Sequence, residues 1–145
     1  GYFFPDIDVS AVGIYFNTIA NNGIYGIREQ GITGSNFSNN IVFGNTSGQI
    51  RSESVEGVDG DLVLVSNVEE DPKWVDPAGW DFRLTEDSPA INNGTCMPTI
   101  TEDFVLEPRP DIGSGLCDVG AYEGFVVPAV VGVRHGGTFI GGSFR

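Results

Sequence analysis

The residues of this chain that could do chemistry are carboxylates, arginines and tryptophans, and they gather in its second half. The stretch DPKWVDPAGWDFRLTEDSPAINNG, residues 71–94, is one cluster, and DVGAYEG, residues 118–124, is another. The candidate residues are, in chain order, Trp74, Trp80, Arg83, Arg109, Asp118 and Glu123. Carboxylates beside arginine occur in acid–base catalysis, in metal sites and in structural ion pairs. Which of these three uses applies depends on the structural elements that carry the residues.

Arg83 and Arg109 are two of only seven basic residues, which stand against twenty carboxylates. A guanidinium group is planar and binds a carboxylate through two parallel hydrogen bonds. The candidate carboxylate partners are Asp76, Asp81, Asp118 and Glu123. We predict structural ion pairs among Arg83, Arg109, Asp118 and Glu123, and we assign no catalytic residue.

A calcium site is the alternative use of these carboxylates. Asp103, Asp111 and Asp118 could converge with backbone carbonyls, and oxygen atoms of this kind are the ligands that Ca²⁺ prefers. The sequence contains no D-x-D-x-D-G loop. We therefore predict no cofactor, with Ca²⁺ as the alternative.

Composition limits the partners. The chain has 145 residues and a formal net charge of -13, so phosphate backbones and anionic lipid heads are repelled. No stretch is long and apolar enough to span a bilayer. We expect neither nucleic-acid binding nor membrane insertion. The 21 glycines and 8 prolines favour strands and turns over helices.

Cys96 and Cys117 both lie among turn residues rather than in an apolar run. We predict a structural disulfide between them, which would be worth about 3 kcal/mol and would indicate an oxidising compartment. A pair of free thiols is the alternative.

The first half of the chain contains a repeat. Residues 14–27 align with residues 37–50 at an offset of 23, so that Asn17 falls on Asn40 and Asn22 on Asn45. A weaker copy at residues 61–67 places Val65 on Phe43 and Asn67 on Asn45. Alternating apolar residues that end at Asn or Gly predict short strands with tight corners. Asparagines that recur at one corner predict a ladder of side-chain amides.

This repeat, followed by DPKWVDPAGWDFRLTEDSPAINNG and RPDIGSGLCDVGAYEG, resembles the right-handed parallel β-helix of the pectate-lyase-like superfamily and its C-terminal closing motif. The resemblance implies an all-β right-handed parallel β-helix of about three coils with an irregular C-terminal cap and an extended tail. It divides the chain into β-helix coils (1–70), a C-terminal closing cap (71–124) and a Gly-rich apolar tail (125–145).

Arg28 and Arg51 share the 23-residue offset and should project side by side from one face. With Trp74 and Trp80 they are the candidate ligand contacts. The alternative for the two arginines is a solvated row of ion pairs with Glu29 and Glu53.

Enzymes of this superfamily cut acidic polysaccharides, but the hydrolase signatures N-T-D, D-D, G-H-G and R-I-K are absent here, and His135 stands alone. We predict a non-catalytic structural or surface-binding module of an extracellular, cell-surface or virion-associated assembly, in contact with polysaccharide through residues such as Trp80. The alternative is the C-terminal fragment of a polysaccharide lyase or glycoside hydrolase whose catalytic coils lie upstream. Residues 125–145 are expected to join the chain to other protein subunits, the alternatives being that they fold back on the cap or stay free.

Overall fold

The computed structural model describes residues 11–53 and 62–125. Within these ranges the chain forms short β-strands and a single 3-10 helix, Pro77–Gly79. The strands are β1 (Gly13–Tyr15), β2 (Thr18–Ala20), β3 (Tyr25–Gln30), β4 (Asn36–Ser38), β5 (Ile41–Phe43), β6 (Gly48–Glu53), β7 (Val63–Val65), β8 (Trp74–Asp76) and β9 (Asp81–Leu84). The predicted all-β class is confirmed.

The strands of the two repeats pair in parallel. β1 pairs with β4, β2 with β5 and β3 with β6, while β7 joins the other side of β4. Ile27 lies opposite Ile50 and Arg28 opposite Arg51, which confirms the predicted 23-residue correspondence. β8 and β9 form a separate antiparallel pair.

The third copy pairs in a different register from the predicted one. Val65 lies opposite Ser38 and not opposite Phe43, and the side chain of Asn67 bonds to Asn40 and not to Asn45. The separation between Asn40 and Asn67 is 27 residues, because the chain from β6 to β7 is longer than the turn between the first two repeats.

The predicted β-helix of the pectate-lyase-like superfamily is wrong. The described residues form strands of three to six residues in sheets of two or three strands, and no solenoid extends through residues 11–53 and 62–125. Of the three parallel sheets only β1-β4-β7 gains a third strand, because the chain leaves the repeat soon after Val68 and enters an irregular segment. The repeats therefore remain a local pairing of short strands.

Asparagine ladders connect the repeats, as the sequence predicts. The Nδ2 of Asn17 donates to the Oδ1 of Asn40 at 3.2 Å, and the Nδ2 of Asn40 donates to the Oδ1 of Asn67 at 3.0 Å. A second ladder joins Asn22 to Asn45 at 2.9 Å. Each accepting oxygen also receives a backbone N–H, so the amides satisfy the corners where the strands end.

The alternation of side chains along β5 divides the core in two. Val42 faces an inner cluster with Ile27 and Phe37, to which Ile14, Ile19, Ile50 and Leu62 add. Its neighbours Ile41 and Phe43 point to the other face, where they meet Val68, Leu84, Ala90 and Val119, together with Trp74 and Ile91. The closing segment, residues 71–124, thus packs on the outer face of β5.

Candidate functional site

Arg109 is the centre of a buried polar cluster in the closing segment. Its side chain is 1% exposed, and its Nε lies 3.2 Å from the Oε2 of Glu123, which is 2% exposed. Nη1 donates to the carbonyl of Asp118 at 2.9 Å, and Nη2 donates to the carbonyl of Gly120 at 3.0 Å. The guanidinium therefore binds two backbone carbonyls and contacts one carboxylate. The contact with Glu123 is an ion pair without hydrogen-bond alignment, since Nε has no hydrogen-bond partner.

Carboxylates hold the chain around this arginine by accepting from backbone amides. The two oxygens of Asp118 accept from the N–H groups of Asn92 and Gly124, both at 2.7 Å. Asp103 accepts from the N–H groups of Val105, Glu107 and Glu123, at 2.8, 2.9 and 2.8 Å. Turns without secondary structure leave such amides unpaired, and these side chains satisfy them.

The cluster also joins the closing segment to the repeats. The guanidinium carbon of Arg109 lies 4.1 Å from the ring centroid of Phe16, which is a cation–π distance. Close by, the N–H of Ala121 donates to the hydroxyl of Thr18 at 3.1 Å, and the N–H of Gly120 donates to the carbonyl of Asn39 at 2.8 Å.

Burial dominates the electrostatics of the cluster. It raises the pKa of Glu123 to about 7, because desolvation of the carboxylate outweighs the attraction of Arg109. Burial likewise raises the pKa of Asp118 and lowers the pKa of Arg109. In both Glu123 and Arg109 the pKa shifts toward the neutral form, because burial disfavours the charge more than the oppositely charged neighbour favours it.

A carboxylate with a pKa near 7 has the value required of a general acid or base. Glu123, however, is enclosed, and its oxygens accept from the backbone N–H groups of Asp111 and Asp118 at 3.2 Å. A group bound in this way positions the chain, and only 2% of its side chain is exposed, although Glu123 lines a surface groove together with Arg83. The arrangement fits a structural pin.

Arg83 is predicted from the sequence to pair within this cluster, but the structure places it outside, where it pairs with Asp81. Its Nε and Nη2 donate to the two oxygens of Asp81 at 2.8 and 2.5 Å, and its side chain is 49% exposed. This contact raises the pKa of Arg83 and lowers the pKa of Asp81. Arg83 lines a groove of about 400 Å³ whose other walls include Glu107, Ile112 and Phe125.

The two tryptophans have different surroundings. Trp74 is half-buried and packs edge-on against Phe43 and Phe82, at centroid distances of 5.9 and 4.9 Å. Trp80 lies at the end of the same aromatic row, 6.1 Å from Phe82, and is 81% exposed. Only Trp80 presents a large face to solvent.

Arg28 and Arg51 lie opposite each other on β3 and β6, and both contact Glu53. Arg28 is 2.6 Å from the Oε2 of Glu53, and Arg51 also donates to the hydroxyl of Tyr25 at 3.1 Å. Glu29 is not part of this row. It is 3% exposed and accepts from the N–H of Ile32 and the hydroxyl of Ser52.

Cys96 and Cys117 form a disulfide with a Cα–Cα distance of 5.4 Å, which confirms the predicted bond. The bridge lies next to the pairing of Gly94 with Cys117, so it fastens the loop that carries Arg109. A disulfide of this kind is typical of an oxidising compartment.

The candidate calcium ligands are not brought together. Among residues 11–53 and 62–125 no group of three His, Cys, Asp or Glu side chains could hold a metal ion. Asp111 accepts from the N–H groups of Gly113 and Ser114, which lowers its pKa, while Asp103 and Asp118 are engaged as described above. Nor does the described part of the chain include a helix long and apolar enough to cross a membrane.

No family model, curated protein or solved structure matches the chain. The resemblance of the closing motifs to the pectate-lyase-like superfamily therefore finds no support in these comparisons. The small sheets of the described residues do not support it either.

Asp103 and Phe16 complete the cluster; the sequence suggested Asp103 only as a calcium ligand, and it did not indicate Phe16 at all. Asp103 had a usable signal, because an aspartate that opens a turn commonly binds the amides that follow it. Phe16 had none, since its contact with Arg109 crosses 93 residues of chain and depends on the packing of the closing segment on β2 and β5. His135 and the tail beyond Phe125 lie outside the described residues.

Proposed function

We propose that the chain is a non-catalytic structural module of an extracellular assembly, exposed at a cell surface or on a virion. The observation that carries this proposal is the use made of its charged groups. Arg109, Asp103, Asp118 and Glu123 bind the backbone of their own chain, and the exposed arginines pair with neighbouring carboxylates. Groups that could act on a substrate hold turns instead.

In this proposal the chain has three parts. Residues 1–70 supply the repeats, residues 71–124 close the structure against β2 and β5, and residues 125–145 bind other protein subunits. Support for the subunit contact comes from the sequence of the tail, which is apolar and follows a segment stapled by a disulfide. The disulfide also supports an extracellular location.

Polysaccharide is the proposed ligand of the surface. Trp80 supports it, because an exposed indole ring can stack on a sugar, and Asp81 and Arg83 offer polar groups one and three residues along the chain. The enzyme alternative rested on the family resemblance, which no comparison supports, so the proposal is limited to the non-catalytic module.

The assembly is tested by comparing the full chain with a chain that lacks residues 126–145 and with one in which those residues are scrambled. Sedimentation should give a higher mass for the full chain than for both variants. Equal masses for the three proteins would contradict the role of the tail. The deletion retains Phe125, because it bridges to Leu84.

Binding and catalysis need separate measurements. Trp80→Ala should weaken retention on immobilised polysaccharide, whereas Phe104→Ala, at a position that is also 75% exposed, should leave it unchanged. Incubation with polyuronate and calcium should give no unsaturated product. An unsaturated product would overturn the non-catalytic assignment.

A further inference from the structure

β7 (Val63–Val65) is an edge strand of the described part of the chain, and one of its two backbone sides is bonded to β4. The N–H of Val63 donates to the carbonyl of Ser35 at 2.8 Å, and the carbonyl of Val65 accepts from Asn39 at 3.0 Å. Alternate residues of a strand direct their backbone groups to opposite neighbours. The N–H and carbonyl of Leu64 therefore point away from β4, to the side on which the described part of the chain places no strand.

The side chains of β7 are apolar and unusually exposed. Val63, Leu64 and Val65 are 48%, 49% and 39% exposed, whereas Phe37, the partner of Leu64 on β4, is 2% exposed. Leu64 thus lies on the same sheet face as the inner cluster but is half uncovered. The closing segment does not protect it, because that segment packs on the outer face of β5.

An open backbone edge with apolar side chains is the surface on which a further strand adds. The chain itself supplies a segment of fitting sequence. Residues 129–133 read AVVGV, which is rich in β-branched side chains, and Arg134 and His135 follow at once.

Charge is complementary between this segment and the surroundings of β7, which carboxylates flank on both sides in the sequence. All twenty carboxylates precede residue 126, and residues 126–145 contain two arginines, a histidine and no Asp or Glu. β7 is followed by Glu69 and Glu70, both exposed. In a parallel alignment, Val131–Val133 would lie beside Val63–Val65, and Arg134 would follow on the side of Glu69 and Glu70.

We propose that β7 is the docking site for residues 129–135 of a neighbouring copy, which add to the sheet as a parallel strand. The parallel direction follows from the sheet, whose two other pairs are parallel. This inference rests on the proposed role of the tail as an assembly arm, and it names the surface that the arm binds.

The test is self-association of the full chain carrying Leu64→Lys, measured by sedimentation. A lysine on an edge strand opposes strand addition, so we expect association at least about tenfold weaker. Ile24→Lys is the matched control, because Ile24 is 63% exposed and lies outside β7. It should associate as the unaltered chain does. Circular dichroism of both variants establishes that the fold is retained.

The contact between Arg134 and the pair Glu69 and Glu70 is tested by reversing the charges. Glu69→Lys combined with Glu70→Lys should weaken association, and Arg134→Glu in the same chain should restore it. A disulfide between Leu64→Cys and Gly132→Cys, the residues in register in this alignment, introduced in two differently tagged chains, should give a crosslinked heterodimer.

The outcomes separate this inference from the proposed function. If Leu64→Lys has no effect while deletion of residues 126–145 abolishes association, the docking site is wrong and the assembly role stands. If neither change has an effect, both the docking site and the assembly role of the tail are wrong. If the two cysteines placed in one chain crosslink only within monomers, the tail docks on its own chain and the intermolecular site is overturned.

Discussion

Residues 13–53 form six strands, whereas residues 71–124 form two strands and a 3-10 helix followed by turns, and the two regions satisfy their polar groups by different means. In the repeats, parallel strands pair with one another and amide side chains bond to the equivalent amide one repeat away. In the closing segment, carboxylates and Arg109 bind backbone groups directly. The first region relies mainly on neutral amides, with the buried Glu29 as an exception, and the second relies mainly on charges.

This difference has energetic consequences. A neutral ladder distributes its stabilisation over several equivalent contacts, so that each one contributes modestly. A buried charged group leaves uncompensated charge behind when its partner is removed, and the loss is concentrated at that position. The closing segment should therefore be far more sensitive to single substitutions than the repeats.

The largest expected effect is at Arg109. Arg109→Met leaves Glu123 and two backbone carbonyls without their cation, and we expect the free energy of unfolding to fall by about 3–5 kcal/mol. Arg83→Met is the matched control, because its exposed pair with Asp81 should contribute less than about 1 kcal/mol. Urea unfolding measures both. Equal losses of unfolding free energy for Arg109→Met and Arg83→Met would show that burial of the ion pair does not determine the size of the effect.

The disulfide should rank next. The double substitution Cys96→Ser and Cys117→Ser removes a bridge over a separation of 21 residues. We expect a loss of about 3 kcal/mol, because the unfolded chain regains the freedom of that loop. Unfolding of the oxidised chain and of the double variant under the same conditions gives the difference. A loss below about 1 kcal/mol would mean that hydrogen bonds alone hold the loop.

A pH titration tests the electrostatic part of the comparison. The pKa of Glu123 rises from 4.5 to about 7 on folding, so the folded chain holds this proton more tightly than the unfolded chain. The contribution is complete below pH 4.5 and is lost as the pH rises through about 7.

Compared with Glu123→Gln, the unaltered chain should therefore lose on the order of 3 kcal/mol of unfolding free energy across that interval. Urea midpoints at a series of pH values measure it. Asp81→Asn is the opposite control, because the lowered pKa of Asp81 gives a contribution that is lost as the pH falls. If the unfolding free energies of Glu123→Gln and the unaltered chain depend on pH in the same way, the raised pKa of Glu123 is contradicted.

The ladder should give the smallest effect. Asn40 is buried, and its side chain bonds to Asn17, Asn67 and the carbonyl of Ile14. Asn40→Ala should cost about 2 kcal/mol, because several buried groups lose a partner. Asn93→Ala, at an exposed site with one 3.4 Å bond, should cost less than about 0.5 kcal/mol. A loss at Asn40 as large as that at Arg109 would remove the distinction between the two regions.

The repeats were readable from the sequence and the closing segment was largely not. The correspondence of Ile27 with Ile50 and the amide ladders follow from a regular spacing of apolar residues and asparagines. The third copy was misaligned, because a longer connection changes the pairing of Val65 without changing its alternation. The closing motifs led to a family that the small sheets do not support, since similar turns can end different structures.

In the closing segment the sequence indicated which residue types would matter, but it did not select the pairs. Arg83 and Arg109 look alike along the chain. Arg83 binds Asp81, two residues away, and remains half exposed. Arg109 is buried against Phe16 and Glu123, because residues 118–124 fold over the outer face of β2 and β5.

By itself the sequence determined the all-β class, the 23-residue correspondence, the asparagine ladders and the disulfide, because each depends on local alternation, on recurrent turn residues or on two cysteines. The tertiary structure decided which arginine is buried and which tryptophan is exposed, and it left β7 at an open edge. These outcomes depend on which face of β5 receives the closing segment. That choice depends on packing between residues far apart in the chain, where local pattern carries no information.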